Sequence, residues 1–183
     1  MTHKPCPSKL PDWGLPMKII PNLTYERLRE LLHYEPETGV FTWRVKRRGP
    51  AKAGDSAGYV CKDGYIEIGV WPGKHAAHRL AWFYVHGEWP KQQIDHINGV
   101  KTDNRINNLR DVSPQVNSQN ERKARRNSRS GLLGVGWDES RGRWAVSIRV
   151  GGKRKHLGRF KDAADAHAAY IAAKRMYHDG CTI

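Results

Sequence analysis

The sequence predicts an α+β protein of two units. A mixed unit over residues 23–120 is centred on a ββα element, and a small three-stranded antiparallel sheet packed on one helix fills residues 131–183. Three observations predict this. An Asp-His pair, Asp95 and His96, closes a short apolar lead-in and is followed by an Asn-rich loop, a second short run and a capped helix. Residues 119–130 carry five basic side chains, one acid and no large apolar group, which is the composition of a linker spanning 121–130. Beyond it, three alternating runs with Gly-containing turns precede an alanine-rich helix.

Taken in order, residues 1–22 hold five prolines and no periodicity, so an extended lead-in is expected. Thr24 is a suitable N-cap for a helix in which Tyr25, Leu28, Leu31 and Leu32 recur at helical spacing, ending near His33. After the Pro36 and Gly39 breaks, Phe41, Trp43 and Val45 alternate with polar residues as in a half-buried strand. Tyr59 to Val70 reads as a hairpin turning at Lys62-Asp63-Gly64, with Ile66, Ile68 and Val70 on one face. His78 to His86 is apolar enough for a buried helix stopped by Gly87. The central element then reads as a strand ending at His96, a loop, a strand over Ile106 to Asp111, and a helix capped by Ser113 with Pro114 at its first position. In the last unit, strands are predicted at Gly134–Trp137, Arg143–Val150 and Lys153–Phe160. Asp162 caps a helix whose stripe is Ala163, Ala166, Tyr170, Ala173 and Tyr177.

Lys and Arg number 32 against 18 acids, a formal charge of +14. Such an excess points to a polyanionic partner, most simply nucleic acid. No apolar run approaches the ~18 residues of a membrane span, and no signal-peptide layout opens the chain, so a soluble cytoplasmic protein is expected. The three cysteines (Cys6, Cys61 and Cys181) form no CxxC pair, which argues against a disulfide framework or a cysteine zinc site. No obligatory protein partner is evident, and the sequence does not choose between monomer and homodimer.

The chemistry concentrates between Ile94 and Asn120. Asp offers a hard oxygen to a divalent cation, and His titrates near neutrality. Adjacent strand residues point to opposite faces, so one of the pair can hold a metal while the other meets a water. Phosphodiester hydrolysis needs an activated water and a stabilised leaving oxygen, which a metal and a positioned base supply. We assign Asp95 and Asn117 as metal ligands, His96 as general base, and Asn108 as the residue that holds the loop and fixes the His96 ring. A carboxylate with an amide carbonyl favours Mg or Mn over zinc. Taken alone, an Asp-His pair more often serves structure than catalysis. Asn104, Asn107 and Asn120 are close neighbours read as loop and helix caps.

The run D-H-I-N-G-V-K-T-D-N-R-I-N-N-L-R followed by V-N-S-Q-N, with G-Y-I-E-I and H-R-L-A-W upstream, resembles the HNH nucleases of the homing-endonuclease type found in phage genomes, over roughly residues 24–120. The resemblance implies a ββα-metal nuclease domain over 23–120, with His96 as base, Asp95 and Asn117 as metal ligands and Asn108 orienting the His. It places the protein in the cytoplasm of the host, if phage-encoded. The third position carries Asn where the family name has His. Two other readings compete: a DNA-binding regulator whose HNH-like half is inactive, and a basic RNA-binding protein.

G-V-G-W-D, R-G-R-W-A-V-S-I-R-V and K-H-L-G-R-F-K-D-A-A-D-A-H-A-A-Y resemble the Apetala-type DNA-binding domain of plant ethylene-response factors, a three-stranded sheet on one helix. The resemblance implies that the sheet enters the major groove. Residues 141–161 independently hold eight Lys or Arg and no acid. Strand alternation sets Arg143, Ala145, Ser147 and Arg149 on the face suited to DNA, and Trp144, Val146, Ile148 and Val150 on the face suited to the helix. The candidate DNA-contacting set is Arg79, Arg105, Arg122, Arg125, Arg126, Arg141, Arg143, Arg149, Arg154 and Lys155, with Arg79 equally suited to holding the fold.

Overall fold

The computed structural model describes residues 22–124 and 126–183. The expected lead-in through Pro21 and the candidate Arg125 lie outside the described residues.

Helix α1 (Tyr25–Leu31) is capped by Thr24, whose hydroxyl accepts from the Arg27 amide at 3.2 Å. It ends two residues before the predicted His33 because the chain turns at once into β1 (Leu32–Glu35), a strand hidden in the helical spacing. Leu32 and Tyr34 point inward while His33 and Glu35 face out, the two-residue period of a strand. β1 pairs antiparallel with β2 (Val40–Trp43). A three-stranded sheet follows, formed by β3 (Tyr59–Val60), β4 (Ile66–Val70) and β5 (Gly73–Ala76), of which β5 has no counterpart in the sequence pattern. Helix α2 (Ala77–His86) stops at Gly87, which adopts the left-handed conformation expected of it.

β6 (Gln93–His96) pairs antiparallel with β7 (Leu109–Val112). Residues Ile106–Asn108, predicted to begin the second strand, form instead a single 3-10 turn that delivers Asn108 to the loop. Helix α3 (Pro114–Gln119) starts where predicted, with the Ser113 hydroxyl accepting from the Val116 amide at 3.3 Å. One core joins α1, the small sheets and α2 through Leu28, Leu32, Tyr34, Phe41, Ile68, Val70, Leu80 and Phe83, and it reaches Ile94 and Leu109 beneath the β6–β7 ribbon.

The last unit matches the expected layout: β8 (Val135–Asp138), β9 (Arg143–Val150) and β10 (Lys153–Phe160) in the order β10-β9-β8, crossed by α4 (Ala163–Tyr177). Val146 and Ile148 are buried and Val146 packs with Val135 and Ala166, so the helix lies on the side that alternation assigned to it. Asp162 accepts from the amides of Ala164 and Asp165 as the N-cap. Among the described residues no helix is long and apolar enough to cross a membrane.

The β1–β2 hairpin braces the loop after β6. The Tyr34 hydroxyl donates to the Asn104 carbonyl at 2.7 Å in a buried setting. Gly39, at φ +73, lies so close that a Cβ would stand 2.4 Å from the Arg105 nitrogen and 2.5 Å from the Asn104 carbonyl carbon. Gly39→Ala should therefore cost the ~1–2 kcal/mol of a left-handed non-glycine residue together with a backbone displacement at Asn104. The expected outcome is a lower melting temperature by calorimetry and a perturbed His96 resonance by NMR.

Candidate active site

Asp95 and His96 end β6 and turn to opposite sides, as strand geometry requires. Both are nearly fully buried, at 7% and 5% exposure, so each must be satisfied by partners.

Around Asp95, Oδ2 accepts from Arg110 Nε at 2.9 Å and Nη2 at 2.7 Å. Asn120 Nδ2 lies 3.1 Å from both carboxylate oxygens and 2.9 Å from the His96 carbonyl. Oδ2 is thus crowded with donors, while Oδ1 meets only the Asn120 amide among the described residues. The sequence pattern singles out neither Arg110 nor Asn120 as a partner of Asp95. Arg110 stands directly opposite Asp95 in the β6–β7 register. That cross-strand pairing is the signal that could have found it, once the register of the two strands is fixed.

Around His96, Nε2 lies 3.2 Å from Asn104 Oδ1. A carbonyl oxygen only accepts, so this contact favours the neutral tautomer with the hydrogen on Nε2 and the lone pair on Nδ1. The ring sits edge-on to His78 at 5.1 Å between centroids and 5.9 Å from Tyr65. Burial lowers the basicity of His96, against the raising effects of the Asn104 bond and the Asp95 charge. His78 is held neutral still more firmly, down to about 4, by burial first and then by His96 and Arg79.

Asn108 holds the loop, as expected, but does not touch the His96 ring. Its Oδ1 accepts from the Asn98 amide at 2.9 Å, and its Nδ2 donates to Asn98 Oδ1 at 3.0 Å and to the Asp103 carbonyl at 2.8 Å. The Asp103 carboxyl, drawn down to about 2 chiefly by Arg105, receives the Asn98 amide in turn. Asn104, read from sequence as a loop residue, makes the direct contact with the ring.

Asn117 lines the same open cleft as Asp95 and His96, a space of about 700 Å³ rimmed by Lys101, Arg122 and Lys123. Its Nδ2 donates to Gln93 Oε1 at 2.8 Å, and no donor among the described residues meets its carbonyl oxygen. Asn120 differs: both ends of its amide are engaged, with Thr182 Oγ1 donating to Oδ1. Asp95 Oδ1 and Asn117 Oδ1 are hard oxygen donors of the kind that would suit a Mg or Mn ion. Among the described residues no group of three or more His, Cys, Asp or Glu side chains gathers as a metal site.

The basic candidates divide. Arg105 is held by Asp103 at 2.8 and 2.6 Å, and Arg122 donates to the Ile97 and Thr182 carbonyls. Arg79 lies 5.9 Å from the Trp89 ring centroid. Arg126 and Arg141 are exposed. Arg143, Arg149 and Arg154 stand on the sheet face away from α4, Arg154 opposite Arg149, and Arg159, absent from the candidate set, joins them opposite Ala145. Lys155 faces the helix side opposite Ile148, where its Nζ donates to the Tyr177 hydroxyl at 2.7 Å.

Residues 75–119 match the family described as HNH endonuclease, from β5 through α2, β6 and β7 to the end of α3. The match is mid-chain and stops one residue before Asn120. Over 102 residues the chain is 32% identical to Protein 3.8 of Escherichia phage T7, covering 55% of this chain and 83% of that protein. No solved structure matches.

The tautomer set by Asn104 is open to direct observation. Nitrogen-resolved NMR should show His96 protonated at Nε2 at neutral pH. Asn104→Asp should move its titration upward, because a carboxylate beside the ring favours the imidazolium. An unchanged midpoint would detach Asn104 from the ring.

Proposed function

The chain belongs to the family of phage T7 Protein 3.8 and carries an HNH endonuclease domain, and from that premise we propose that it is a metal-dependent endonuclease acting on double-stranded DNA. The observation that carries this reading is the convergence of three features on one cationic cleft: the Asp95 carboxylate with one oxygen lightly engaged, the free Asn117 carbonyl, and the His96 ring with its lone pair on Nδ1.

On this reading, Asp95 and Asn117 hold a divalent ion, Mg or Mn, which when bound stabilises charge on the scissile phosphate and its leaving oxygen. Lys101, Arg122 and Lys123 at the rim favour the polyanion. His96 Nδ1 accepts the proton of the attacking water while Asn104 keeps Nε2 protonated, so the ring takes up one proton and becomes imidazolium, stabilised by the Asp95 and Asp103 charges nearby. The reading extends the domain back to residue 23, because Tyr34 and Gly39 hold the backbone of the catalytic loop. We assign DNA anchoring to the open face of the last sheet through Arg143, Arg149 and Arg154; Arg159 on the same face is paired with Asp138 Oδ2 at 2.8 Å. The alternative, a DNA-binding regulator with an inactive centre, draws on one observation: Arg110 already occupies the Asp95 carboxylate.

Plasmid incubation with Mg or Mn tests the reading, and supercoiled DNA persisting across metals and pH would sink it. His96→Ala should lower cleavage by about 10²–10⁴-fold with DNA binding nearly intact. Asp95→Ala should abolish metal dependence, and Asn117→Ala should weaken it more mildly, since an amide offers a dipole in place of a charge. Cleavage should rise with pH through an acid limb centred below the ordinary His value of about 6.5, because protonated His96 accepts nothing and its basicity is lowered by burial. A limb above that value would point to a different base.

Replacing the sheet-face arginines 143, 149 and 154 together by Ala should weaken DNA binding. It should also flatten the dependence of log K on log salt by about 0.9 for each phosphate that the variant no longer neutralises. An unchanged slope in a salt series would move the anchor elsewhere.

A further inference from the structure

We infer that the segment Gly180–Thr182, contributed by the last unit, is part of the nuclease centre, and that the Thr182 hydroxyl is a positioning group for the metal-holding carboxylate of Asp95. The inference rests on the nuclease reading above.

The contacts form a closed circuit. Both protein groups that grip Asp95, Asn120 and Arg110, are themselves gripped by this segment. Asn120 turns its Nδ2 to the two Asp95 oxygens and the His96 carbonyl, and its Oδ1 accepts from Thr182 Oγ1. The Ile97 carbonyl, one residue beyond His96, also lies 2.6 Å from this hydroxyl, but it already accepts from Arg122 Nη2, so the single Thr182 hydrogen goes to Asn120 Oδ1. Arg110 Nη2 is shared between Asp95 Oδ2 and the Gly180 carbonyl, at 2.7 and 2.8 Å. Arg122 Nη2 bridges the Ile97 and Thr182 carbonyls at 2.9 and 3.0 Å.

The segment is seated on α3 by shape as well as by polarity. The Gly180 amide donates to Gln119 Oε1 at 3.0 Å. A Cβ at Gly180 would stand 2.3 Å from the Val116 carbonyl oxygen, so only glycine permits the approach. Just before it, Lys174 is 1% exposed and donates its Nζ to the Glu121 carbonyl.

These contacts fix an orientation. Asn120 is a symmetric-looking amide whose placement decides whether its donor end faces Asp95. With Thr182 donating to Oδ1, only Nδ2 is available to the carboxylate, and the carboxylate is locked before any cation arrives. Without the hydroxyl, Oδ1 is left buried and unsatisfied, which favours rotation of the amide and release of Asp95. Removing a partner that orients a metal ligand characteristically costs about 10–100-fold in metal affinity or activity.

The full-length chain tests this with two variants at Thr182 and one at Gly180. Mn²⁺ binding without DNA is read from the free-ion EPR signal, alongside plasmid cleavage, DNA affinity in EDTA and the melting temperature. Thr182→Val, isosteric but without the hydroxyl, should weaken Mn²⁺ binding and cleavage together by roughly 10-fold or more while DNA affinity in EDTA stays at the wild-type value. Thr182→Ser should restore both. Gly180→Ala, which removes no polar group but lifts the segment from α3, should weaken Mn²⁺ in the same way. It also decides the matter if Thr182→Val fails to fold. Wild-type Mn²⁺ affinity in Thr182→Val or Gly180→Ala, in a chain whose wild type cleaves DNA, would overturn the positioning role and leave the nuclease reading intact. A wild type that neither binds Mn²⁺ nor cleaves would remove the nuclease reading and this role with it.

Discussion

The structure depends on one buried carboxylate. Asp95 is desolvated at the end of β6, and a charge in that position is tolerated only when its lone pairs are matched. Arg110 supplies a compensating charge through two bonds to the same oxygen, and Asn120 spans both. The consequence for the nuclease reading is direct. A cation meets a carboxylate whose charge is already balanced, so the protein alone attracts it less than a bare Asp would. On the nuclease reading, the phosphate of a duplex would supply the missing negative charge, so that metal and DNA would favour each other's binding.

Support for this carboxylate comes from two directions. Beneath it, Ile94 and Leu109 anchor the β6–β7 ribbon in the main core. Beside it, the loop from Ile97 to Asn108 is closed on itself by Asn98, Asp103 and Asn108, and it is pressed against the β1–β2 hairpin through Tyr34 and Gly39. The loop that carries Asn104 to the His96 ring is thereby tied to the core, which on the nuclease reading is what a proton-accepting group needs if its ring is to be held ready.

Local signals made much of this legible in the sequence. The Asp-His pair at a strand end, the Ser113-Pro114 start of α3, the left-handed Gly87 and the strands and helix of the last unit all follow from short-range patterning, and each stands where expected. β1 was hidden because Leu31 and Leu32 satisfy helical and strand spacing alike, and only its pairing with β2 decides. The partners of the site were hidden for a different reason. Among the five asparagines from Asn104 to Asn120, which one meets His96 and which meets Asp95 depends on the path of the 3-10 turn and on a pairing register, neither of which composition encodes. Thr182 is still less accessible, since its bond to Asn120 spans 62 residues and involves side chains with no motif of their own.

That long-range bond also changes how the two units relate. The basic stretch after Asn120 reads in the sequence as the one connection between cutting and anchoring modules, leaving residues 23–120 able to act alone. A second connection exists: Lys174, Gly180 and Thr182 return to α3 and to the loop beside His96. A ββα unit cut off at Asn120 would keep every residue of its motif and lose the groups that orient Asn120 and share Arg110. Two modules joined by a flexible chain gain avidity at any mutual angle the linker allows. On the nuclease reading, two modules joined twice would engage one duplex only along paths that satisfy both, so the contacts that complete the cleft would also restrict which DNA can lie across it.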